Sequence, residues 1–278
     1  MSNLPLTNHV NHVNHVNHVE TPFDIFSSLR YDPELPRLTM ENPESYPEPL
    51  NSPYYLLAYH LDRLINAARH FGWERAFEEG PSWMNGDLDS LEEFLDSRIP
   101  DKHRPWRLKL VVHRSGHAWC EVAEAGALDP LNLLVPGSHA RSDTFVWRLY
   151  VDSETTAPSG FTTHKTSARE DYNAARLRCG ITSPTQTEEV LLVNPNGEVM
   201  EGSITTPHFR QRGGAGWITP PLSCGGNAGT TRRYALARGF CAEQVIAASE
   251  LVDGEECWLS NGVRGFIRAV VVLNRQSA

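Results

Sequence analysis

Lys165, in the stretch SGFTTHKTSAREDYNAARLR, is one of three lysines in a chain that carries 22 arginines; the other two are Lys102 and Lys109. A lysine amine can lose its proton, since burial lowers its pKa readily, and can then condense with an aldehyde, whereas a guanidinium stays charged. A chain that meets its need for positive charge with arginine therefore marks Lys165 as a Schiff-base candidate. A solvated lysine at a helix start is the competing reading, and the lysine alone does not separate the two. Downstream, GGNAGTTRR sets glycines ahead of Thr230 and Thr231 at an expected helix start. Backbone N–H groups and the helix dipole favour a dianion at such a place. Taken by itself, a glycine-rich turn is a weak phosphate signal. A third group with chemical capacity is NHVNHVNHVNHV at residues 8–19, where His9, His12, His15 and His18 recur at period three. Four imidazoles invite a metal, but Asn and Val are poor helix formers and neither a cap nor an apolar face frames the run. A disordered tail with no dedicated metal site is the expectation.

The elements that must position these groups follow from composition and periodicity. With 278 residues, 40% hydrophobic and 21% charged, the chain has room for one large or two modest globular domains. A formal net charge of -9 argues against a nucleic-acid surface. There is no apolar run long enough to span a bilayer, and the start has no signal-peptide pattern, so no membrane partner is expected. The five cysteines (Cys120, Cys179, Cys224, Cys241, Cys257) form no CxxC pair and read as free thiols, from which a cytoplasmic location follows.

Ordered sequence is expected from TPFDIFSSLRYDP onward, followed by a proline-rich extended loop, PELPRLTMENPESYPEPLNSP. YYLLAYHLDRLINAARHFGW predicts a helix with Leu56, Tyr59, Leu64, Ala67, Ala68 and Phe71 on one face and Gly72 at its end. LDSLEEFLDSRI predicts a second helix, and WRLKLVVHRSGHAWCEVAEAG a hairpin turning at Ser115-Gly116. DTFVWRLYVD reads as a strand and SETTAPSGFTT as a linker. Helices over SAREDYNAARLRCG and from GTTRRYALARGF, and strands in EVLLVNPNGEVME, up to GWITPPL and in ECWLSNGVRGFIRAVVVL, complete the chain. The expected organisation is a tail at 1–21, an α/β domain at 22–151, a linker at 152–163 and a second α/β domain at 164–278.

EVLLVNPNGEVMEGSITTPHF (189–209) followed by GWITPPLSCGGNAGTTRRYAL (216–236) resembles the class IV aminotransferase family, the fold-type IV pyridoxal-phosphate enzymes. The resemblance is close over 161–236 and looser over 22–272, and it rests on several motifs in the right order. It implies a two-domain α/β (α+β) fold like that of the D-amino acid and branched-chain aminotransferases, pyridoxal 5'-phosphate as cofactor, and a homodimer. Lys165 matches the lysine that carries the cofactor. Glu201, in MEGS, matches the carboxylate on the pyridine nitrogen, which keeps the ring able to accept electrons; otherwise it reads as a turn residue. Arg63, in YHLDRL, matches the phosphate-binding arginine, against the ordinary fate of an exposed helix arginine. Thr230 and Thr231 then belong to the phosphate cradle, with Asn261 and Gly262 of WLSNGVRGF beside it. Two departures stand out. Thr206-Pro207-His208 replaces the family's usual Asn ahead of an apolar-Phe pair, and no NG-type strand and turn opens the chain, so an abbreviated first domain is expected.

The family supports transamination and a lyase reaction on 4-amino-4-deoxychorismate, and the motifs do not choose between them. FDIFSSLRYDP and HKTSAREDYNAAR resemble the fungal aminodeoxychorismate lyases, with Ser27 and Ser28 where bacterial enzymes carry threonines and Arg169 four residues after the lysine. Branched-chain aminotransferases instead place a tyrosine where this chain has Glu170. The resemblance thus implies a lyase that releases 4-aminobenzoate and pyruvate, with Lys165 as base. Ser28 is the candidate proton relay, and Arg30 and Arg169 are the candidate partners of substrate carboxylates. The alternative within the family is a transaminase for D-amino acids, branched-chain amino acids or (R)-amines.

Overall fold

The structure, a computed structural model, describes residues 22–137, 146–183 and 186–273. The histidine repeat and its expected tail lie outside these residues.

Alternation builds the first sheet. In β1 (Ile25–Tyr31) the residues Ile25, Ser27, Leu29 and Tyr31 are buried on one face, and Phe26, Ser28 and Arg30 turn to the other. Next in the chain come α1 (Leu35–Glu41), α2 (Leu57–His70), α3 (Arg75–Glu78) and α4 (Leu88–Asp96). The predicted hairpin follows as β2 (Trp106–Val112) and β3 (Ala118–Glu124), with Gly116 at φ 88° in its turn. These three strands pair antiparallel in the order β1-β2-β3. Helix α2 lays Leu57, Leu61, Leu64 and Ala68 over the buried face of this sheet, joined by Leu91 and Leu95 of α4. The observed stripe therefore differs from the expected one: Leu56 caps the helix and Tyr59 packs in a different cluster. Gly72, at φ 65°, ends the helix as predicted.

The remaining strands are β4 (Trp147–Thr155), β5 (Glu188–Val193), β6 (Val199–Gly202), β7 (Thr206–Arg210), β8 (Trp217–Thr219), β9 (Cys241–Glu243), β10 (Glu256–Asn261) and β11 (Gly265–Val271). They form one mixed sheet in the order β6-β5-β4-β11-β10-β7-β8-β9, in which β4 runs parallel to both its neighbours. The helices of this part are α5 (Gly160–Thr163), α6 (Glu170–Arg178) and α7 (Thr230–Ala237). Helix α6 packs Tyr172 and Ala175 against Tyr150, Val190 and Met200. The architecture is mixed α+β, as expected.

Two expectations give way. The segment 152–163, read as a linker, is strand to Thr155 and helix from Gly160, where Ser159 forms a capping box with Thr162. Its polarity reflects the exposed end of β4, and β4 itself belongs to the larger sheet. The proline-rich stretch is not all loop either, because Pro36 sits in the first turn of α1, where its missing N–H costs nothing, and Leu35 and Leu38 are buried. Leu64 is fully buried at the centre of α2. Leu64→Ala is expected to destabilise the protein by about 2–5 kcal/mol, measured by equilibrium chemical denaturation.

Candidate active site

Between the two sheets lies a cavity of about 690 Å³, and Ser28, Arg30, Arg63, Lys165, Arg169, Glu201, Thr230, Thr231, Asn261 and Gly262 all line it. The ten positions singled out in the sequence span more than two hundred residues and converge on one space. The outward face of β1 supplies Phe26, Ser28 and Arg30; α2 supplies Arg63; the end of β6 supplies Glu201; the first turn of α7 supplies the threonines; the β10–β11 turn supplies Asn261 and Gly262.

Lys165 is fixed by its backbone. Its carbonyl accepts a hydrogen bond from Phe26 N at 3.0 Å, Ser167 N donates to the Asp24 carbonyl at 2.8 Å, and Thr166 bridges Ile25. The lysine thus runs along the open edge of β1, and its Nζ lies 5.1 Å from the Phe26 ring centre. Burial, reinforced by the Arg169 and Arg63 guanidiniums, holds its amine well below the usual lysine range. Glu201 is buried and takes the Tyr172 hydroxyl on Oε1 at 2.5 Å. Burial raises its carboxyl, opposed by that hydrogen bond and by Arg169, Lys165 and the Asn227 backbone N–H.

At the other end, Arg63 Nε, Thr230 Oγ1 and Thr231 Oγ1 are buried with no hydrogen-bond partner among the described residues. Buried donors left unpaired in this way are costly unless a ligand satisfies them. Burial, and then Arg233, push the Arg63 guanidinium down to about 10. A phosphate dianion at the start of α7 fits this donor set in charge and in hydrogen-bonding capacity. Asn261 contributes less directly, since its Oδ1 accepts the backbone N–H groups of Val263 and Arg264 and so shapes the turn. Gly262 is there for closeness: a Cβ would stand 2.5 Å from His60 Cε1 and 2.9 Å from the Ser28 carbonyl.

Arg30 and Arg169 reach the cavity already partly committed. Arg30 Nε donates to Asp32 at 2.7 Å, and Arg169 donates to the Ser203 carbonyl at 2.5 Å while stacking on the Tyr172 ring at 3.8 Å.

Residues 50–272 match the family described as amino-transferase class IV. The chain belongs to that family. It is 36% identical over 141 residues to the aminodeoxychorismate lyase of Saccharomyces cerevisiae, a match covering 46% of this chain and 38% of the yeast protein. A putative aminodeoxychorismate lyase of Schizosaccharomyces pombe is 24% identical over 227 residues, covering 81% of this chain and 87% of that protein. A solved structure titled as a putative amino-acid aminotransferase from Mesorhizobium loti aligns with a TM-score of 0.66 at 25% identity, covering 90% of this chain and all of that one.

For a class IV member, two residues here escaped sequence reasoning. Glu189 is fully buried in β5, and its two oxygens accept Val190 N, Ser203 N, Ser203 Oγ, Ile204 N and Thr205 Oγ1, which shapes the loop after Glu201. A carboxylate inside the apolar run EEVLLV was its available signal. Tyr172 was hidden by register: Glu170 is exposed at the helix start, and the phenol enters two residues later. The departure at Thr206-Pro207-His208 proves to be the buried strand β7, where His208 Nε2 meets Ser260 Oγ at 2.9 Å.

Two outcomes are expected. Gly262→Ala must force β1, α2 and the β10–β11 turn apart, at a cost of about 1–3 kcal/mol in a denaturant titration. Burial and Arg232 lower the His208 imidazole to about 3, so the folded state holds it neutral well below its ordinary value of 6.5. Below that ordinary value the unfolded chain binds the proton first. Stability is therefore fully present above it and falls as pH drops toward about 3, by about 1.4 kcal/mol per pH unit from this group. His208→Gln should remove that slope from urea titrations run across the acid range.

Proposed function

We propose that this chain is a pyridoxal-phosphate-dependent lyase that converts 4-amino-4-deoxychorismate to 4-aminobenzoate and pyruvate. The observation that carries this reading is the charge of the cavity. Seven basic side chains line it (Arg30, Arg63, Arg107, Lys165, Arg169, Arg232 and Arg264) against the carboxylates Glu124, Asp129 and Glu201, in a chain whose net charge is -9. Such a cavity concentrates anions, and a cofactor phosphate plus a substrate bearing two carboxylates would meet it. The two yeast relatives named as aminodeoxychorismate lyases support the same choice.

Arg63, Thr230, Thr231 and the turn at Asn261 and Gly262 would hold the cofactor's phosphate, Glu201 its ring nitrogen and Lys165 its aldehyde carbon. Pyridoxal phosphate, when bound, supplies a conjugated ring that accepts the electron pair released at the amine-bearing carbon. Lys165 Nζ, whose neutral form is favoured by burial and by the Arg169 and Arg63 guanidiniums, would take the proton from that carbon. The C–O bond to the enolpyruvyl group then breaks as the substrate ring aromatises, and the departing enolate gains a proton to become pyruvate. Ser28, on the cavity face of β1, would relay that proton. Arg30, steadied by Asp32, and Arg169 would orient the substrate carboxylates. Among the described residues there is no helix long and apolar enough to cross a membrane. None of the five cysteines is in a disulfide, which supports a cytoplasmic setting, and the family resemblance supports a homodimer.

The second reading, a transaminase for D-amino acids, branched-chain amino acids or (R)-amines, draws on the likeness to the Mesorhizobium loti protein. One assay separates them. Purified protein mixed with enzymatically generated aminodeoxychorismate should yield 4-aminobenzoate and pyruvate with no keto-acid acceptor. Lys165→Ala should lose roughly 10²–10⁴-fold or more of the rate. Turnover that requires a keto acid, or product formation untouched by Lys165→Ala, would sink the lyase assignment.

A further inference from the structure

We infer that Tyr172 is a positioning residue for Glu201: its hydroxyl fixes the carboxylate's orientation and keeps it charged toward the cofactor's ring nitrogen. This rests on the reading of Glu201 as the partner of that nitrogen. Tyr172 is buried on α6, in the apolar cluster that also holds Tyr150, Ala175 and Met200. Its hydroxyl lies 2.5 Å from Glu201 Oε1 and 3.3 Å from the Thr162 carbonyl, so the charged acceptor takes the proton. Thr162 lies in the short helix α5 just ahead of Lys165, so the same phenol touches both the carboxylate and the approach to the lysine.

Arg169 completes the arrangement. Its guanidinium stacks 3.8 Å from the Tyr172 ring centre and donates to the Ser203 carbonyl, two residues past Glu201. Phenol, guanidinium and carboxylate are thereby locked to one another through two chain segments, α6 and the end of β6. Burial and the Glu201 carboxylate hold the phenol protonated, above its usual range, so it can only donate to the carboxylate.

The groups that face Glu201 come from four directions. Tyr172 and Arg169 approach from the α6 side, Lys165 from the edge of β1, Arg63 from α2, and the Asn227 backbone N–H from the loop before α7. Among them Tyr172 is the group that makes a side-chain hydrogen bond to the carboxylate, and a hydrogen bond to the charged form favours that form. Without it the buried carboxylate would take up a proton at higher pH, and a protonated Glu201 cannot pair with a pyridinium.

The test uses apo protein titrated with pyridoxal phosphate across the acid and neutral range, followed by tryptophan fluorescence and by the visible absorbance of the bound cofactor. Tyr172→Phe keeps the ring and its packing. It should move the acid-side loss of cofactor binding upward by roughly one to two pH units, the size of a hydrogen bond to a charged group, and leave the alkaline end in place. In a Glu201→Gln background, where no carboxylate titrates, Tyr172→Phe should move nothing further. An acid limb that stays put in Tyr172→Phe overturns the inference, reduces Tyr172 to packing and leaves the cofactor reading intact. A shift of equal size in the Glu201→Gln background overturns it as well, because the tyrosine then acts elsewhere. Wild-type protein that binds no pyridoxal phosphate removes the cofactor reading and the inference together.

Discussion

The hydrogen bond from Phe26 N to the Lys165 carbonyl ties the buried lysine to the register of β1. Because side chains on a strand alternate, that register also decides which residues of β1 look into the cavity. Phe26, Ser28 and Arg30 face it, while Ser27 turns inward and meets His60 Nδ1 at 2.7 Å. A slip of one residue would bury Arg30 in the apolar core and present Leu29 to the lysine. The pairing of β1 with β2, and the pressure of α2 on their shared buried face, guard against that slip. The geometry of the candidate site is therefore inherited from the packing of the smaller sheet, even though most of the recognisable motifs lie after residue 160.

A second constraint is electrostatic. The cavity gathers guanidiniums that repel one another, and Arg30 stands directly opposite Arg107 across the β1–β2 ladder. Like charges facing each other across a sheet destabilise it. Asp32 offsets part of the repulsion at Arg30 and Glu243 part of it at Arg232. Among the described residues Arg63 has no carboxylate in ion-pair contact; Glu201 offsets its charge from farther off, and it sits beside Arg233, which is itself paired with Asp62. The fold tolerates this charge because large apolar clusters on both sides hold the walls. What is stored as unpaired donors in the protein alone becomes binding free energy once a dianion arrives, and that free energy adds to stability by mass action.

Much of this was legible in the sequence because the groups proposed to hold a phosphate or a ring nitrogen need fixed residue types at fixed spacing. Arg63 one turn after His60, Glu201 at a strand end and Thr230-Thr231 at a helix start are local patterns, and all reached the cavity. What escaped depends on contacts between distant segments. Tyr172 gains its meaning only when α6 is docked against β6, and Glu189 only when the loop at 203–205 folds over β5. The segment expected as a linker has a similar origin: β4 carries polar residues at its exposed end, and sequence polarity there looks like a boundary. Helix α1 was hidden because prolines break helices in general, yet the first turn is where they are tolerated.

The scarcity of lysine now has a physical account. A site built to let one amine bind an aldehyde works best when other amines nearby are unavailable, and guanidiniums supply charge without that reactivity. Lys102 is exposed and ion-paired to Asp96, which holds its amine above the usual range. Lys109 lies on the small sheet paired to Glu121. Lys165 combines burial with flanking guanidiniums, and both push its amine toward the neutral form. Arg169 and Arg63 then have two effects with one group. They line the cavity as positive charge that favours an anion, and they keep the lysine's proton off. Replacing either with lysine would preserve the formal charge yet place a second titratable amine in the cavity. The arginines that surround Lys165 are thus as much a part of its chemistry as the lysine itself.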